Sequence, residues 1–563
     1  MHPLSSTPVK FPKEVYEYGK RADGDAHGHV LTKPHIVNLI LDLAGYKSDI
    51  DLGAQALLEP ACGHGAFLIP AVERLITSAR THGRHFSDLG NAIAAFDIEE
   101  ENVKRTRTAL IETMIKNDVK LGTARKLAEQ WVKQDDFLLA PITAVFDYIV
   151  GNPPYIRIEQ LSKQIESEYR RLYTTLFDRA DIYVAFIERS LQLLSPNGAL
   201  SFICADRWTL NRYGAPLRRA IVSDYEIRAY IDLHHASPFE SEVIAYPSIF
   251  VIARERTGTP VRVFSLTDAT TDEVEAVKDQ YLGGATSHAG VISATYTKWF
   301  NGEDPWIISS PEQLEVLNNL ENKFPLLEER GSTLVRIGVA TGNDSIYIVP
   351  KNSDIESSRL LPLVMRSDIR EGNITNAHRF VINTHDEQGV VNLSDYPRLK
   401  RYIKKHEAPI KKRHVAQKSK EGWFRTIDRT HPNLVTKPKL LIPDIAGSNE
   451  VVFDPGLFYP HHNLYFIISE EWDMEVLGAL LSSRIALFFI WSYSVKMRGG
   501  YLRFQAQYLR RIRVPQPESL SANLKCHLKN AFRKRDFALI DELSKKAYGL
   551  QKLPEFDFVD ARR

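Results

Sequence analysis

Along the first 255 or so positions, apolar residues recur in two alternating rhythms. The stretch "LTKPHIVNLILDLAGY", beginning at Leu31, places Ile36, Val37, Ile40, Leu41 and Leu43 on one face at helical spacing, and Pro34 sits in the first turn, where its missing N–H is harmless. Short apolar runs then alternate with helical stretches: "QALLEPA", "NAIAAFDI", "FDYIVGN", "GALSFICA", "IRAYIDLH" and "YPSIFVIAR" read as strands. The clearest unit is the helix "DIYVAFIERSLQLL", the turn "SPNG" and the strand "ALSFICA". Such alternation predicts a parallel sheet with helices on both faces, an α/β doubly wound fold.

Beyond Ala253 the pattern changes. "ARERTGTPVRVFSLTDATTDEVE" is polar and rich in turn residues, which places a boundary near residue 258. Short strands such as "DSIYIVP", "PKLLIPDI" and "NLYFIIS" then mix with helices such as "DMEVLGALLSSRIALFFIWSYSV", and no internal repeat is evident. The expected organisation is an irregular arm over 1–30, the α/β domain over 31–258, a mixed α+β domain over 259–515 and a charged helical tail over 516–563.

Composition narrows the class. At 563 residues the chain exceeds a single core. Cys62, Cys204 and Cys526 are far apart and form no CxxC pair, so neither a disulfide framework nor a structural zinc site is indicated and no metal is required. No apolar run approaches the ~18 residues of a membrane span and no leader pattern opens the chain, which predicts a cytoplasmic protein without a membrane partner. The net charge is only +2, yet Arg398 to Lys439 contains fourteen Lys or Arg against Glu407, Glu421 and Asp428. Local polarity of that kind predicts a polyanionic partner.

Candidate chemistry clusters at predicted strand ends. "LLEPACGHGAFLIPAVERL" sets Glu59, Pro60, Ala61, Gly63 and Gly65 between a strand and a helix, where glycines admit a ligand to the backbone; a plain βα turn is the blander reading. No third glycine follows at the dinucleotide-fingerprint spacing. Asp97 ends the next strand, where an acid can hold both hydroxyls of a ribose, and Asp136 with Phe137 follows in "VKQDDFLLAP". Each acid alone reads better as a solvated strand end. Three successive strand ends carrying a glycine turn, an acid, and an acid with an aromatic favour an adenosine-bearing cofactor.

The strand "DYIVGNPPYIRI" runs directly into two prolines, which cannot give N–H groups to a ladder, so it must stop at an edge. Exposed there are the Asn152 side chain, the Pro153 carbonyl and the Tyr155 ring. An aromatic amine on a purine is a poor nucleophile because its lone pair is delocalised. Two acceptors aimed at its N–H bonds draw the nitrogen toward tetrahedral geometry and localise that pair. Asn152 and Pro153 are suited to this, Tyr155 offers a stacking face, and a base in a duplex reaches such a pocket only by flipping out.

These motifs, in this order, resemble the adenine-specific DNA methyltransferases of the gamma class, the TaqI-like and Eco57I-like group of restriction-modification enzymes. The resemblance runs through "EPACGHGAF", Asp97, "DDF", "NPPY", "DIYVAFIERSLQLLSPNGALSFICADRW" and "ASPFESEVIAYPSIFVI", strongly over about 18–255 and more loosely over "GVATGNDSIYIV" and "NLYFIISEEWDMEVLGALLSSRIALFFIWS". It implies an S-adenosylmethionine-dependent methyltransferase domain followed by a DNA target-recognition domain. Thr32, Glu59, Pro60, Ala61, Gly63, Gly65, Asp97, Ile98, Asp136, Phe137 and Asn152 would then surround S-adenosyl-L-methionine. Asn152, Pro153 and Tyr155 would be catalytic, and Tyr155, Phe239 and Phe186 would flank the flipped adenine. Lys33, between Thr32 and Pro34, and Asp97, where Glu is commoner, depart from the family pattern.

Double-stranded DNA is the implied partner, with a cognate restriction endonuclease encoded separately as a further one. Lys400, Arg401, Lys404, Lys405, Lys411, Lys412 and Arg413, close to Trp423, Phe424 and Arg425, are the candidate DNA contacts; a solvated basic surface is the alternative. A fused nuclease is not expected, since only about 30 residues precede the first motif and "IPDIAGSNEVV" has Val where a nuclease site after Pro443-Asp444 needs Lys. Alternatives carried with this reading are an rRNA adenine methyltransferase, a protein glutamine methyltransferase, which shares Asn-Pro-Pro-Tyr but has its extra domain in front, and a catalytically inactive DNA-binding specificity module.

Overall fold

A computed structural model describes residues 31–241, 246–297, 299–300, 302–307, 309–329, 331–375, 377–418, 422–446, 450–494 and 502–556. The arm at 1–30 and part of the "SPFESEV" stretch lie outside them. The chain divides into two units, Met1–Ile307 and Ile308–Arg563.

The first unit is built on nine strands: β1 (Leu57–Glu59), β2 (Ile93–Asp97), β3 (Val132–Gln134), β4 (Phe146–Gly151), β5 (Leu194–Ala205), β6 (Glu226–Asp232), β7 (Pro247–Ala253), β8 (Val261–Leu266) and β9 (Val291–Tyr296). They form one sheet in the order β3-β2-β1-β4-β5-β7-β6-β8-β9. Strands β3 to β5 pair in parallel, whereas β7 is antiparallel to both β5 and β6, so the sheet is mixed and not wholly parallel as the alternation suggests. The connection from β6 to β7 has no helix among its described residues, unlike the helical crossovers that usually join parallel neighbours. The SPNG residues lie inside β5, opposite a register shift in β4.

Every residue of β7 is buried, as expected for a strand covered on both faces. Alternate side chains serve different layers. Ile203, Ile249 and Val251 join a core with Ile36, Val37 and Ile40 of helix Pro34–Ala44 and Val274 of helix Thr271–Tyr281. Phe202 and Phe250 turn the other way, their rings 6.4 Å apart, toward Trp208 and Trp306. The boundary expected near 258 falls inside this unit, because β8 and β9 extend the same sheet through residues whose polar composition reads as a linker.

The second unit holds two four-stranded sheets. One orders Thr333–Ile337, Leu464–Ser469, Lys439–Pro443 and Val452–Asp454; the other Ile348–Pro350, Arg379–Ile382, Leu360–Val364 and Tyr459–Pro460. The stretch read as a single helix at 473–495 is two helices, Met474–Leu481 and Arg484–Tyr493, bent by 59°. The break has a local cause: the Ser483 side chain accepts the Ala486 N–H and starts a new helix. Both helices are buried, and no single described helix is long and apolar enough to cross a membrane. The tail supplies helices Ala522–Lys534 and Phe537–Tyr548 as expected, and they belong to this unit.

Lys439 and Asp454 form an ion pair inside the second unit at 2.9 Å, with both side chains 0% exposed. The ammonium also donates to Val435 O and Phe458 O, and the carboxylate accepts the Gly456, Leu457 and Phe458 amides. Removing one member strands the other in a medium that cannot solvate it. Lys439→Ala should therefore cost about 3–5 kcal/mol in urea unfolding of the full chain. An unchanged midpoint and slope would show that the pair does not anchor this sheet.

Candidate active site

The site forms at the carboxyl ends of neighbouring parallel strands, where successive connections leave in opposite directions and open a crevice. Pro60 ends β1, and the chain turns through Ala61–Gly65 into helix Leu68–Thr81. Glu59, Pro60, Ala61 and Gly63 from that turn line one cavity with Asp97 and Ile98 after β2 and with Asp136 and Phe137 after β3. Asn152 closes it from β4 and Thr32 from the segment before the first helix. Gly65 does not line the cavity. It shapes the turn: its φ of +83° suits glycine, and a Cβ there would stand 3.2 Å from Thr106 Cγ2.

Three carboxyl groups, Glu59, Asp97 and Asp136, are 1%, 7% and 6% exposed here. Asp97 accepts the Gly63 and Glu99 amides at 2.9 Å each and the Asn102 side-chain N–H at 3.1 Å. Asp136 accepts the Leu138 amide and the Tyr169 hydroxyl, both at 2.8 Å. Glu59 is different: its Oε2 is buried with no hydrogen-bond partner among the described residues. Burial, reinforced by the charge of Asp97, pushes its pKa well above the usual carboxylate range. Tyr169 was not legible from sequence, because it comes from a separate helix, Lys163–Leu172, with no motif around it.

Phe137 meets Phe186 at 5.3 Å between ring centroids, and the Arg189 guanidinium lies 5.2 Å from the Phe137 ring. Phe186, expected beside the target base, lines the same cavity as Asp136 and Phe137, because its helix, Tyr183–Gln192, packs against this end of the sheet.

At the end of β4, Gly151 has a φ of +151°, and a Cβ would lie 3.6 Å from Glu59 Cγ and Pro60 Cδ. The Asn152 amide nitrogen is 3.4 Å from Thr32 Oγ1, which turns the side-chain oxygen away from Thr32. The Pro153 ring is buried, and no donor among the described residues approaches its carbonyl. Tyr155 packs edge-on against Tyr183 at 6.2 Å and buries its hydroxyl without a partner among the described residues. Phe239 is 6% exposed, packed in the core, and its backbone bridges Thr32.

In the second unit, helix Pro397–Lys405 buries Leu399 and Ile403 and exposes Lys400, Arg401, Lys404 and Lys405. Lys412 is also exposed; Lys411 pairs with Glu407 at 2.5 Å and lies 5.1 Å from the Trp423 ring. Arg413 is a correction to the expected DNA contacts. Its guanidinium donates to Thr341 O, Trp423 O, Arg425 O and Tyr347 Oη, so it brackets loops of its own unit. Among the described residues Asp344, His461 and His462 come within 4.8 Å as possible metal donors, but Asp344 is already held by Thr341 and His461.

The fold and the acid-lined cavity define a class, the α/β methyltransferases that bind an adenosyl cofactor at the ends of β1 to β4. The Eco57I restriction-modification methylase family matches residues 49–239, and the TaqI-like C-terminal specificity domain matches residues 373–514. The chain is 44% identical to the type II methyltransferase M.BstVI of Geobacillus stearothermophilus, over 93% of this chain and 96% of that protein. It is 42% identical to the type II methyltransferase M.PaeR7I of Pseudomonas aeruginosa, over 93% and 92%. A solved structure of the type IIL restriction-modification enzyme MmeI in complex with DNA shares the fold with a TM-score of 0.60 at 13% identity, covering 93% of this chain and 73% of that one. The chain belongs to the type II restriction-modification methyltransferases.

The cofactor of this protein is S-adenosyl-L-methionine, and the cavity fits it. Asp97 suits the ribose hydroxyls, Asp136 and Phe137 the adenine, and the open oxygen of buried Glu59 a cationic group. A bound cation favours ionised Glu59, so cofactor affinity should fall as pH drops through the raised pKa of Glu59 in the free protein, with proton release on binding. Calorimetry between about pH 5 and pH 8 in buffers of different ionisation heat reads this. Glu59→Gln should weaken binding at least about tenfold at the upper end and lose the pH slope. Equal slopes in both proteins would assign the proton to another group.

Proposed function

We propose that the protein is a site-specific adenine methyltransferase that modifies the N6 amino group of adenine in double-stranded DNA, serving as the modification enzyme of a restriction-modification system whose nuclease is encoded separately. One observation carries this reading. Asn152 lines the cofactor cavity with its side chain oriented by Thr32, and the next residue, Pro153, has a carbonyl with no donor on it among the described residues. Two rigid acceptors at one strand end suit an amine with two N–H bonds. Similarity to type II methyltransferases along nearly the whole chain favours DNA over rRNA or protein amides.

When bound, S-adenosylmethionine supplies a methyl group made electrophilic by a positively charged sulfur. Asn152 Oδ1 and Pro153 O accept the two amine N–H bonds and hold the nitrogen's lone pair out of the purine ring. Pro153-Pro154 prevents the acceptor carbonyl from turning away, since both residues have fixed φ. Tyr155 covers one face of the extruded base, and Phe239, whose backbone bridges Thr32, is the candidate for the other. The acceptors act on the amine as it becomes tetrahedral, so Asn152→Ala should lower turnover about 10²–10³-fold and leave cofactor affinity within a few fold. Single-turnover transfer from labelled cofactor to plasmid DNA measures it, and near-normal turnover would remove Asn152 from the chemistry.

DNA recognition is assigned to the second unit, with Lys400, Lys404, Lys405 and Lys412 as phosphate-binding residues. Changing these four to Gln should weaken binding to all duplexes alike and reduce the slope of log affinity against log salt by about one for every lysine that holds a phosphate. A slope equal to the native one would make this face an ordinary solvated surface.

A further inference from the structure

His234 follows β6 and belongs to none of the groups described above. Its imidazole lies between two carboxylates, Nε2 2.9 Å from Asp206 Oδ2 and Nδ1 3.0 Å from Asp232 Oδ1. Asp206 is the first residue past β5 and Asp232 the last of β6. Those strands are not neighbours, because β7 lies between them. One ring therefore ties two strand ends across a third. The Asp206 amide donates to Tyr246 O at 3.0 Å, and the Tyr246 ring meets the imidazole edge-on at 4.9 Å. Burial alone would lower the imidazole pKa, but Asp206 and Asp232 outweigh it and hold it at about 10, so both nitrogens carry protons at neutral pH.

The chain leaving this tie carries Phe239 and leads straight to the amine-holding residues. Lys33 N–H donates to Pro238 O at 3.0 Å and Glu240 N–H to Leu31 O at 2.9 Å, so segment 238–240 is pinned on both sides of Thr32. Thr32 in turn orients Asn152. We propose that His234 is a positioning residue of the methyltransferase, fixing segment 234–240 and through it Thr32, Asn152 and Phe239. The proposal rests on the adenine reading of the amine site. A buried cation between two carboxylates is a costly way to fill space, which an apolar side chain does as well. What it provides that packing does not is two directed bonds to two different strand ends.

The test uses the full chain and its own substrate. Sequencing plasmid DNA modified by the native protein locates the methylated adenine, and a duplex with 2-aminopurine at that position reports extrusion of the base by fluorescence. His234→Gln removes the cation but leaves two buried carboxylates; Asp232→Asn takes the charge from one tie, leaving a weaker acceptor, and keeps the other, and so guards against a fold failure in the first variant. In folded Asp232→Asn, turnover should fall at least about tenfold with the KM for DNA and the cofactor affinity each within about threefold, and the fluorescence rise should shrink with turnover. Native turnover and fluorescence in this variant overturn the proposal. So does a loss of turnover, DNA affinity and cofactor affinity together, in step with the unfolded fraction, since that marks a purely structural role. If the native protein methylates no adenine, the functional reading itself fails, and the two failures are distinct.

Discussion

The site depends on strands that are forced to stop at one edge. Pro60 ends β1 and Pro153-Pro154 ends β4, and the two strands are hydrogen-bonded neighbours. Where their ladder stops, carbonyls and side chains lose their β partners and face a crevice. Gly151 suits the parting through its φ of +151°, which L side chains rarely adopt. The strand-end acids and Asn152 are thereby brought to one cavity.

Electrostatics decides what that cavity can hold. Burying three carboxyl groups in one cavity is unfavourable unless each finds donors. Asp97 and Asp136 find backbone amides and side-chain partners, which fixes their orientation before any ligand arrives. Glu59 keeps an open oxygen and a raised pKa. Burial thus disfavours ionised Glu59 until a cationic group stands beside it, so part of the binding selectivity is built into the fold and not only into ligand contacts.

In the second unit the same lysine-rich run is divided by its apolar residues. Leu399, Ile403 and Ile410 are fully buried and dictate which cations point outward. Arg413 shows the other outcome: a basic residue in the run whose donors are all directed at its own backbone carbonyls and at Tyr347. Charge density along a sequence therefore overstates the charge available to a partner.

Much of the catalytic unit was legible in the sequence because its determinants are local. Prolines after apolar runs mark where β1 and β4 stop, and the strand-end acids and Asn152 that line the cavity stand beside them, all without long-range information. Parts that depend on contacts between distant segments were not legible. The polar run after Ala253 gives no hint that β8 and β9 extend the sheet, since its turn residues read as a linker and β9, at the edge, buries little apolar surface. Phe186 reads the same wherever its helix packs, and only tertiary packing brings it beside Phe137. Tyr169 and His234 have no motif because each acts on a residue from another strand end, a relation that exists only once the sheet has formed. The sequence by itself determined where strands end and which chemical groups stand there; only the tertiary structure decided which groups face one another, because that depends on strand order and not on spacing along the chain.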